Sequence, residues 1–321
     1  MWIALIYLFV FFIVEFGYFK LARHFNIIDK PNSRSSHHQV TIRGGGIIFS
    51  IAAITWYFVN GLSYSYFIAG LVAITCISFL DDIFTLNNKL RLAIHFTAVV
   101  LLFQQWGLFS FPWYWLALAL IFVIGTINAY NFMDGINGIT GAYSLLAIAT
   151  LFYIHTHIIA FTSTNLLVIT ALALLVFNFF NFRIKAKCFA GDVGSVSIAF
   201  ILIFLIGQLI LVTHNFGYIL LLLIYGLETS TTVFFRKIRK ENIFEAHRSH
   251  FYQYLANQLK WNHLIISGLY FVVQLLLNVI LVNIIDNLAL LLLFIAMVSI
   301  IFLVLRFLVE GKKYLMEPHT S

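Results

Sequence analysis

The sequence predicts an all-α, polytopic membrane fold, and three observations carry that prediction. Of 321 residues, 62% are hydrophobic and 10% charged, with a mean hydropathy of +0.98, whereas a soluble domain carries about a quarter charged residues. The apolar residues fall in runs of about 16–23, long enough as helices to cross a hydrocarbon core of about 30 Å. All 19 Lys and Arg lie in alternate connections between those runs or near the chain end, the distribution expected when basic loops stay on one side of a bilayer.

The runs lie near 2–20, 44–60, 66–80, 92–109, 113–128, 138–156, 164–181, 195–213, 216–235, 262–284 and 288–309, which predicts about eleven transmembrane helices. The first is too long and too weakly basic at its start for a cleaved signal peptide, and no small-residue cleavage site follows it, so it counts as the first helix. The loops at 20–43, 81–91, 182–194 and 236–261, with Arg306, Lys312 and Lys313, hold every basic residue, while the opposite loops carry only Asp286. An odd span count then puts the N-terminus outside and the C-terminus in the cytoplasm. Three prolines and no long polar stretch make 1–321 a single membrane domain. The cytoplasmic loop 236–261 is expected to hold an interfacial helix with Phe251, Tyr254, Leu255 and Leu259 as its apolar stripe. The net charge of +7 sits in short juxtamembrane clusters. That suits membrane lipids and phosphorylated substrates and argues against nucleic acid. Cys76 and Cys188 show no metal-ligand spacing.

Polar residues capable of chemistry gather on the same inner face. A transporter is expected to hold ionisable groups near mid-bilayer, and Glu15 is the only charge placed within a span rather than near its end. Asp81 and Asp82 are adjacent carboxylates whose repulsion favours an intervening cation, and Mg²⁺ with one or two carboxylates and substrate phosphates is the natural one. Alternatively they cap a helix end or pair with Lys89 and Arg91. Asp192, flanked by Gly191 and Gly194 before an apolar helix, reads as a phosphate or metal site at a helix N-terminus, or as the N-cap itself. Asn128, Asn131, Asp134 and Asn137 recur at roughly helical spacing beside glycines, with donors and acceptors for base, ribose or sugar. Arg43 before Gly44, Gly45 and Gly46 suggests either a phosphate-contacting loop or close helix packing. The run 236–240 is a lipid anchor in its own right. His247 and His250, three apart, share a helical face if the segment is helical, and they suit phosphate or sugar oxygens better than zinc because no third ligand accompanies them.

Taken in order, Arg34-Ser35-Ser36-His37 with Arg43-Gly44-Gly45-Gly46, Asp81-Asp82 after a span, Asn128 to Gly138, Gly191-Asp192-Val193-Gly194-Ser195, and Ala246-His247-Arg248-Ser249-His250 with Tyr252-Gln253 resemble the polyprenyl-phosphate N-acetylhexosamine-1-phosphate transferase family. These are relatives of the bacterial enzymes that start peptidoglycan, teichoic acid and O-antigen lipid intermediates. The resemblance implies transfer of a sugar 1-phosphate from a UDP-N-acetylhexosamine to undecaprenyl phosphate at the bacterial inner membrane, with release of UMP. It implies Mg²⁺, with Mn²⁺ as a substitute, held by Asp192, Asp81 and Asp82, which are also the catalytic residues. It implies substrate binding by Ser36, His37, Arg43, Gly45, Asn128, Asn131, Asp134, Asn137, His247, Arg248 and His250, and it leaves room for a homodimer. The histidine segment looks more like the surface-polysaccharide (O-antigen-like) branch than the peptidoglycan branch. Val40 and Ile42 stand where the family often has prolines. Asn137 stands where many members have Asp, which makes it a poor candidate for metal ligand or base. The competing expectation is a polyprenyl-linked glycan flippase or transporter.

Overall fold

A computed structural model describes residues 2–29, 40–84, 86–242 and 248–317. In chain order it places helix α1 (Trp2–His24), strands β1 (Ile28–Asp29) and β2 (Thr41–Ile42), then α2 (Ile47–Val59), α3 (Ser65–Ile83), α4 (Asn88–Trp106), α5 (Trp113–Met133), α6 (Ile139–His157) and α7 (Thr164–Asn181). There follow α8 (Gly191–Thr213), α9 (Leu223–Ile238), α10 (Phe251–Asn257), α11 (His263–Ile284) and α12 (Leu288–Met316). Nine helical segments among the described residues are long and apolar enough to cross a membrane. The fold is all-α and polytopic, as the sequence predicts, and each of the eleven apolar runs is helical. The other two are α2, only 13 residues long, and α4, diluted by Lys89, Arg91, His95, Gln104 and Gln105.

Every residue of α8 from Val193 to Gly207 is buried. A helix apolar all round has no solvent face to present, so it becomes the axis on which α2, α3, α5 and α6 pack. α1 and α12 lie outside with much of their surface exposed. Where α2 meets α8, a Cβ added to Gly46 would lie 2.3 Å from Cα of Gly194, and one added to Gly194 would lie 2.6 Å from Cα of Gly46. The two backbones touch only because neither residue has a side chain. Gly194→Val is expected to destabilise by about 1–3 kcal/mol or more through overpacking, read as a lower Tm in detergent. An unchanged Tm would show that the contact yields without cost.

Several boundaries differ from the sequence reading. The side chain of Asn87 accepts from the Lys89 amide at 2.9 Å, so α4 begins before Arg91 and both basic residues are helical. α5 runs on to Met133 and takes Asn128 and Asn131 into its last turns. The interfacial helix is a seven-residue piece, α10, that buries Phe251, Tyr252, Leu255 and Ala256 against α11 and α12. Its apolar stripe faces protein, and Leu259 is exposed outside it. Glu15 is not the only charge inside a span, because Glu228 in α9 and Arg306 in α12 are also buried. Both are tolerated because they are paired: Glu228 with backbone amides and a tyrosine hydroxyl, Arg306 with Glu310.

Candidate active site

The site forms at the bundle end that carries the basic residues, where α3 and α5 finish and α8 begins. Its first component is a short ladder. Thr41 and Ile42 pair antiparallel with Asp29 and Ile28, and Ile42 forms a parallel bridge with Cys188. The Phe189 amide donates to the Ile42 carbonyl at 2.8 Å, and the Gly45 and Gly46 amides donate back to Phe189 and Ala190 carbonyls at 2.9 and 3.2 Å. The Tyr18 hydroxyl of α1 donates to the Arg43 carbonyl at 2.6 Å. Two segments some 145 residues apart thus run side by side, which delivers Arg43 to the start of α8. The glycine run is occupied by packing: Gly45 is buried, its amide is spent on Phe189, and a Cβ on it would meet Cys188 Sγ at 2.6 Å.

Asp82, the penultimate residue of α3, closes this junction. Its Oδ1 accepts from the Asp192 amide and its Oδ2 from the Val193 amide, both at 3.0 Å, and Oδ1 also meets Arg43 Nε at 2.7 Å. The side chain is fully buried. Asp82 is therefore the N-terminal cap of α8, supplied from α3, where a carboxylate satisfies orphan amides and complements the helix dipole. Gly191, at φ +72°, turns the chain into the helix in a left-handed conformation, and a Cβ there would lie 2.6 Å from Asp82 Oδ2. Asp192 is relieved of the capping role that its position suggested. Ala190 is the N-cap residue and makes no side-chain cap hydrogen bond, while the Asp192 carboxylate, a quarter exposed, reaches Arg43 Nη2 at 3.4 Å.

Asp81 points elsewhere. It accepts from the Leu86 amide at 3.2 Å and pairs with Arg91 at 2.5 Å. The adjacent carboxylates therefore diverge, each with its own protein partners: Asp82 caps a helix and Asp81 pairs with Arg91, the two alternatives weighed from the sequence. Asp134, at the C-terminus of α5, lies within electrostatic reach of Asp82, Asp192 and Arg43. Burial, reinforced by Asp192 and Asp82 and opposed by Arg43, pushes its carboxyl up from 3.8 to about 7. A carboxyl raised on folding favours the fold while protonated, so its contribution is complete below pH 3.8 and is lost as the pH rises through 7. Tm is expected to fall over that window, and Asp134→Asn, which cannot ionise, is expected to flatten the fall. An unaltered slope would assign it to another group.

Asn131 accepts from the Ser195 hydroxyl of α8 at 3.2 Å, and Asn128 is exposed one turn earlier. Asn137 is a brace. Its buried amide donates to the Arg183 and Ile184 carbonyls at 2.8 and 3.2 Å, and its carbonyl accepts from Ser267 of α11 at 2.8 Å. Arg248 is partly exposed, and His250 is buried at 1% exposure as the residue before α10, in extended backbone and within a capping box with Gln253. It is not on a helical face, so the shared-face argument for the two histidines does not hold at His250. Ser36, His37 and His247 lie outside the described residues.

Sequence reasoning missed Glu228. Its carboxylate accepts from the Phe251 and Tyr252 amides and from the Tyr270 hydroxyl at 2.6 Å, with His250 Nδ1 at 3.6 Å. Tyr252 in turn donates to the Phe132 carbonyl at 2.8 Å and seats against Gly135, which fixes the Arg248 segment beside the end of α5. Beyond that segment, Arg306 binds Glu310, the Thr231 and Thr232 hydroxyls and the Ser249 carbonyl. An acid in an apolar span was the available signal.

Among the described residues no three Asp, Glu, His or Cys side chains converge as a preformed metal centre. The donor set fits a hard cation that keeps most of its water and takes one or two carboxylates. Asp192 has coordinating capacity left, whereas both oxygens of Asp82 are committed. An apolar groove of about 400 Å³ runs between α5 and α9, lined by Gly125, Ala129, Tyr130, Leu223 and Gly226 among others, and ends one turn short of Asp134.

Residues 64–210, from α3 to α8, match the model of glycosyl transferase family 4. A Bacillus subtilis (strain 168) protein, "Probable undecaprenyl-phosphate N-acetylglucosaminyl 1-phosphate transferase", is 23% identical over 74% of this chain and 71% of its own length. The undecaprenyl-phosphate alpha-N-acetylglucosaminyl 1-phosphate transferase of Escherichia coli (strain K12) is 27% identical over 58% of this chain and 56% of its own. The phospho-N-acetylmuramoyl-pentapeptide-transferase of Leuconostoc citreum (strain KM20) is 29% identical over 48% and 58%. The last two alignments take in little more than half of those relatives.

Proposed function

We propose that this chain, whose residues 64–210 match glycosyl transferase family 4, transfers an N-acetylhexosamine 1-phosphate from a UDP-sugar to undecaprenyl phosphate and releases UMP, as the first step of a lipid-linked surface polysaccharide. The observation that carries this reading is the Asp192 carboxylate, unspent by its helix and held beside Arg43 at an N-terminus. Such a site suits a pyrophosphate, whose negative charge grows as its bond to the leaving phosphate breaks. In this reading Asp192, with Asp134 nearby, holds Mg²⁺, which supplies electrophilic charge to the phosphates. Arg43 clamps phosphate oxygens, and Asp82 fixes both partners in place. Asn131 and Arg248 contact the nucleotide or sugar. The α5–α9 groove takes the polyprenyl chain, whose phosphate is already largely ionised near neutrality and needs no strong base. All eleven runs cross the membrane, with the N-terminus outside and the site facing the cytoplasm, because the basic residues gather at this end.

The test is UMP release by purified protein given undecaprenyl phosphate and a panel of UDP-N-acetylhexosamines, beginning with the N-acetylglucosamine donor for which two relatives are named. Release is expected to require both substrates, to vanish in EDTA and to return with Mg²⁺ or Mn²⁺. Turnover in EDTA would remove the metal. Lipid-linked glycan crossing vesicles without UMP release would replace the transferase with a transporter.

A further inference from the structure

A second groove, of about 540 Å³, opens between α6, α7 and α11, lined by Ala142, Phe179, Phe182 and Gly268 among others, with Asn178 and Arg183 as its polar members. Each lining residue lies within the first turns of α6 or α11 or the last turn of α7 and the residues just after it, so the groove sits at the basic end of the bundle. Phe179 and Val272 are about half exposed, which leaves the groove open laterally to hydrocarbon. Arg183 stands at its mouth in a fixed pose. Its Nε donates to the Phe179 carbonyl at 2.5 Å, and the guanidinium lies 4.4 Å over the Phe179 ring. Among the described residues its two terminal nitrogens make no hydrogen bond to protein. A guanidinium held at one edge with its other edge clear is arranged for bidentate binding of a phosphate.

We propose that this groove is a binding site for an anionic phospholipid of the leaflet on the basic side, with one acyl chain along the apolar lining and the lipid phosphate on Arg183. Charge complementarity selects the occupant, since a zwitterionic lipid brings a compensating cation to the same guanidinium. The site is tied to the catalytic end through the backbone, because the carbonyls of Arg183 and Ile184 are the ones Asn137 grips. The segment so anchored leads through Lys187, whose amide is held by the Phe180 carbonyl at 2.9 Å, to Asp192. Lipid occupancy therefore steadies the loop that leads into α8 and Asp192.

Gly268 gives the means of testing it, because a Cβ there meets nothing within 4 Å. Protein in detergent is offered dioleoylphosphatidylglycerol, dioleoylphosphatidylcholine or undecaprenyl phosphate, and retained lipid is counted by native mass spectrometry alongside Tm. The wild type is expected to retain phosphatidylglycerol over phosphatidylcholine. Arg183→Gln is expected to lower that preference about tenfold, the scale of a lost charge-assisted pair. Gly268→Leu is expected to lower retention of both phospholipids without lowering Tm in their absence. Phosphatidylglycerol retention unchanged in both variants overturns the site. Undecaprenyl phosphate displacing phosphatidylglycerol at equal concentration, with the same sensitivity to both variants, assigns the groove to polyprenyl phosphate and overturns the phospholipid. Whether UMP is released is decided by the turnover assay and not by lipid retention, so the site and the transferase reading fail separately.

Discussion

Asp192→Asn is expected to lower kcat by about a thousandfold or more while Tm hardly moves. The side chain does not cap α8, because Asp82 accepts from the Asp192 and Val193 amides, so the fold loses only a 3.4 Å contact with Arg43. Partly exposed ion pairs contribute about 0–1 kcal/mol. Relief of repulsion between Asp192 and the carboxylates of Asp82 and Asp134 offsets even that. The chemistry stands differently, since replacing an anionic oxygen beside a pyrophosphate by a neutral amide removes several kcal/mol of charge stabilisation, at about 1.4 kcal/mol per tenfold. A near-normal kcat would exclude Asp192 as the metal-holding group. Asp82→Ala, by contrast, should lower Tm and activity together. Asn137→Ala belongs with it: read from the sequence as a substrate contact it should raise KM, but as the brace on Arg183 and Ile184 it should lower Tm by a loss of about 1–3 kcal/mol.

Arg306→Ala is expected to be the most destabilising of the charge removals. The guanidinium is buried at 1% exposure and satisfies Glu310, two threonine hydroxyls and the Ser249 carbonyl at once. Its loss strands a buried carboxylate, which costs about 3–5 kcal/mol. Extractable folded protein and Tm should fall together, and Arg306→Lys should rescue little, because one ammonium cannot reproduce the fork. The double change Arg306→Met with Glu310→Met should recover much of the loss, since an apolar pair replaces an ion pair at little net cost. A single-variant loss below about 1 kcal/mol would mean that water reaches the pair.

The eleven apolar runs were legible because membrane insertion reads hydropathy over about twenty consecutive residues, a property local to the chain. The clustering of basic residues at one end, and the motifs at 43–46, 81–82, 128–138 and 191–195 that mark the site, were legible for the same reason. The assignment of individual roles was not. From the sequence Asp192 and Asp82 are interchangeable acids at helix ends. Tertiary structure made Asp82 the cap of a helix 110 residues away and left Asp192 free to act. It spent the Gly45 amide on packing, turned Asn137 into a brace, and paired Glu228 with Tyr270 and the start of α10 across 42 and 23 residues. A hydrogen-bonding group can satisfy itself with whichever partner the packing brings within about 3 Å. Composition and spacing therefore determined which polar residues gather at this end of the bundle, and only the contacts between distant segments decided which of them remained available for chemistry.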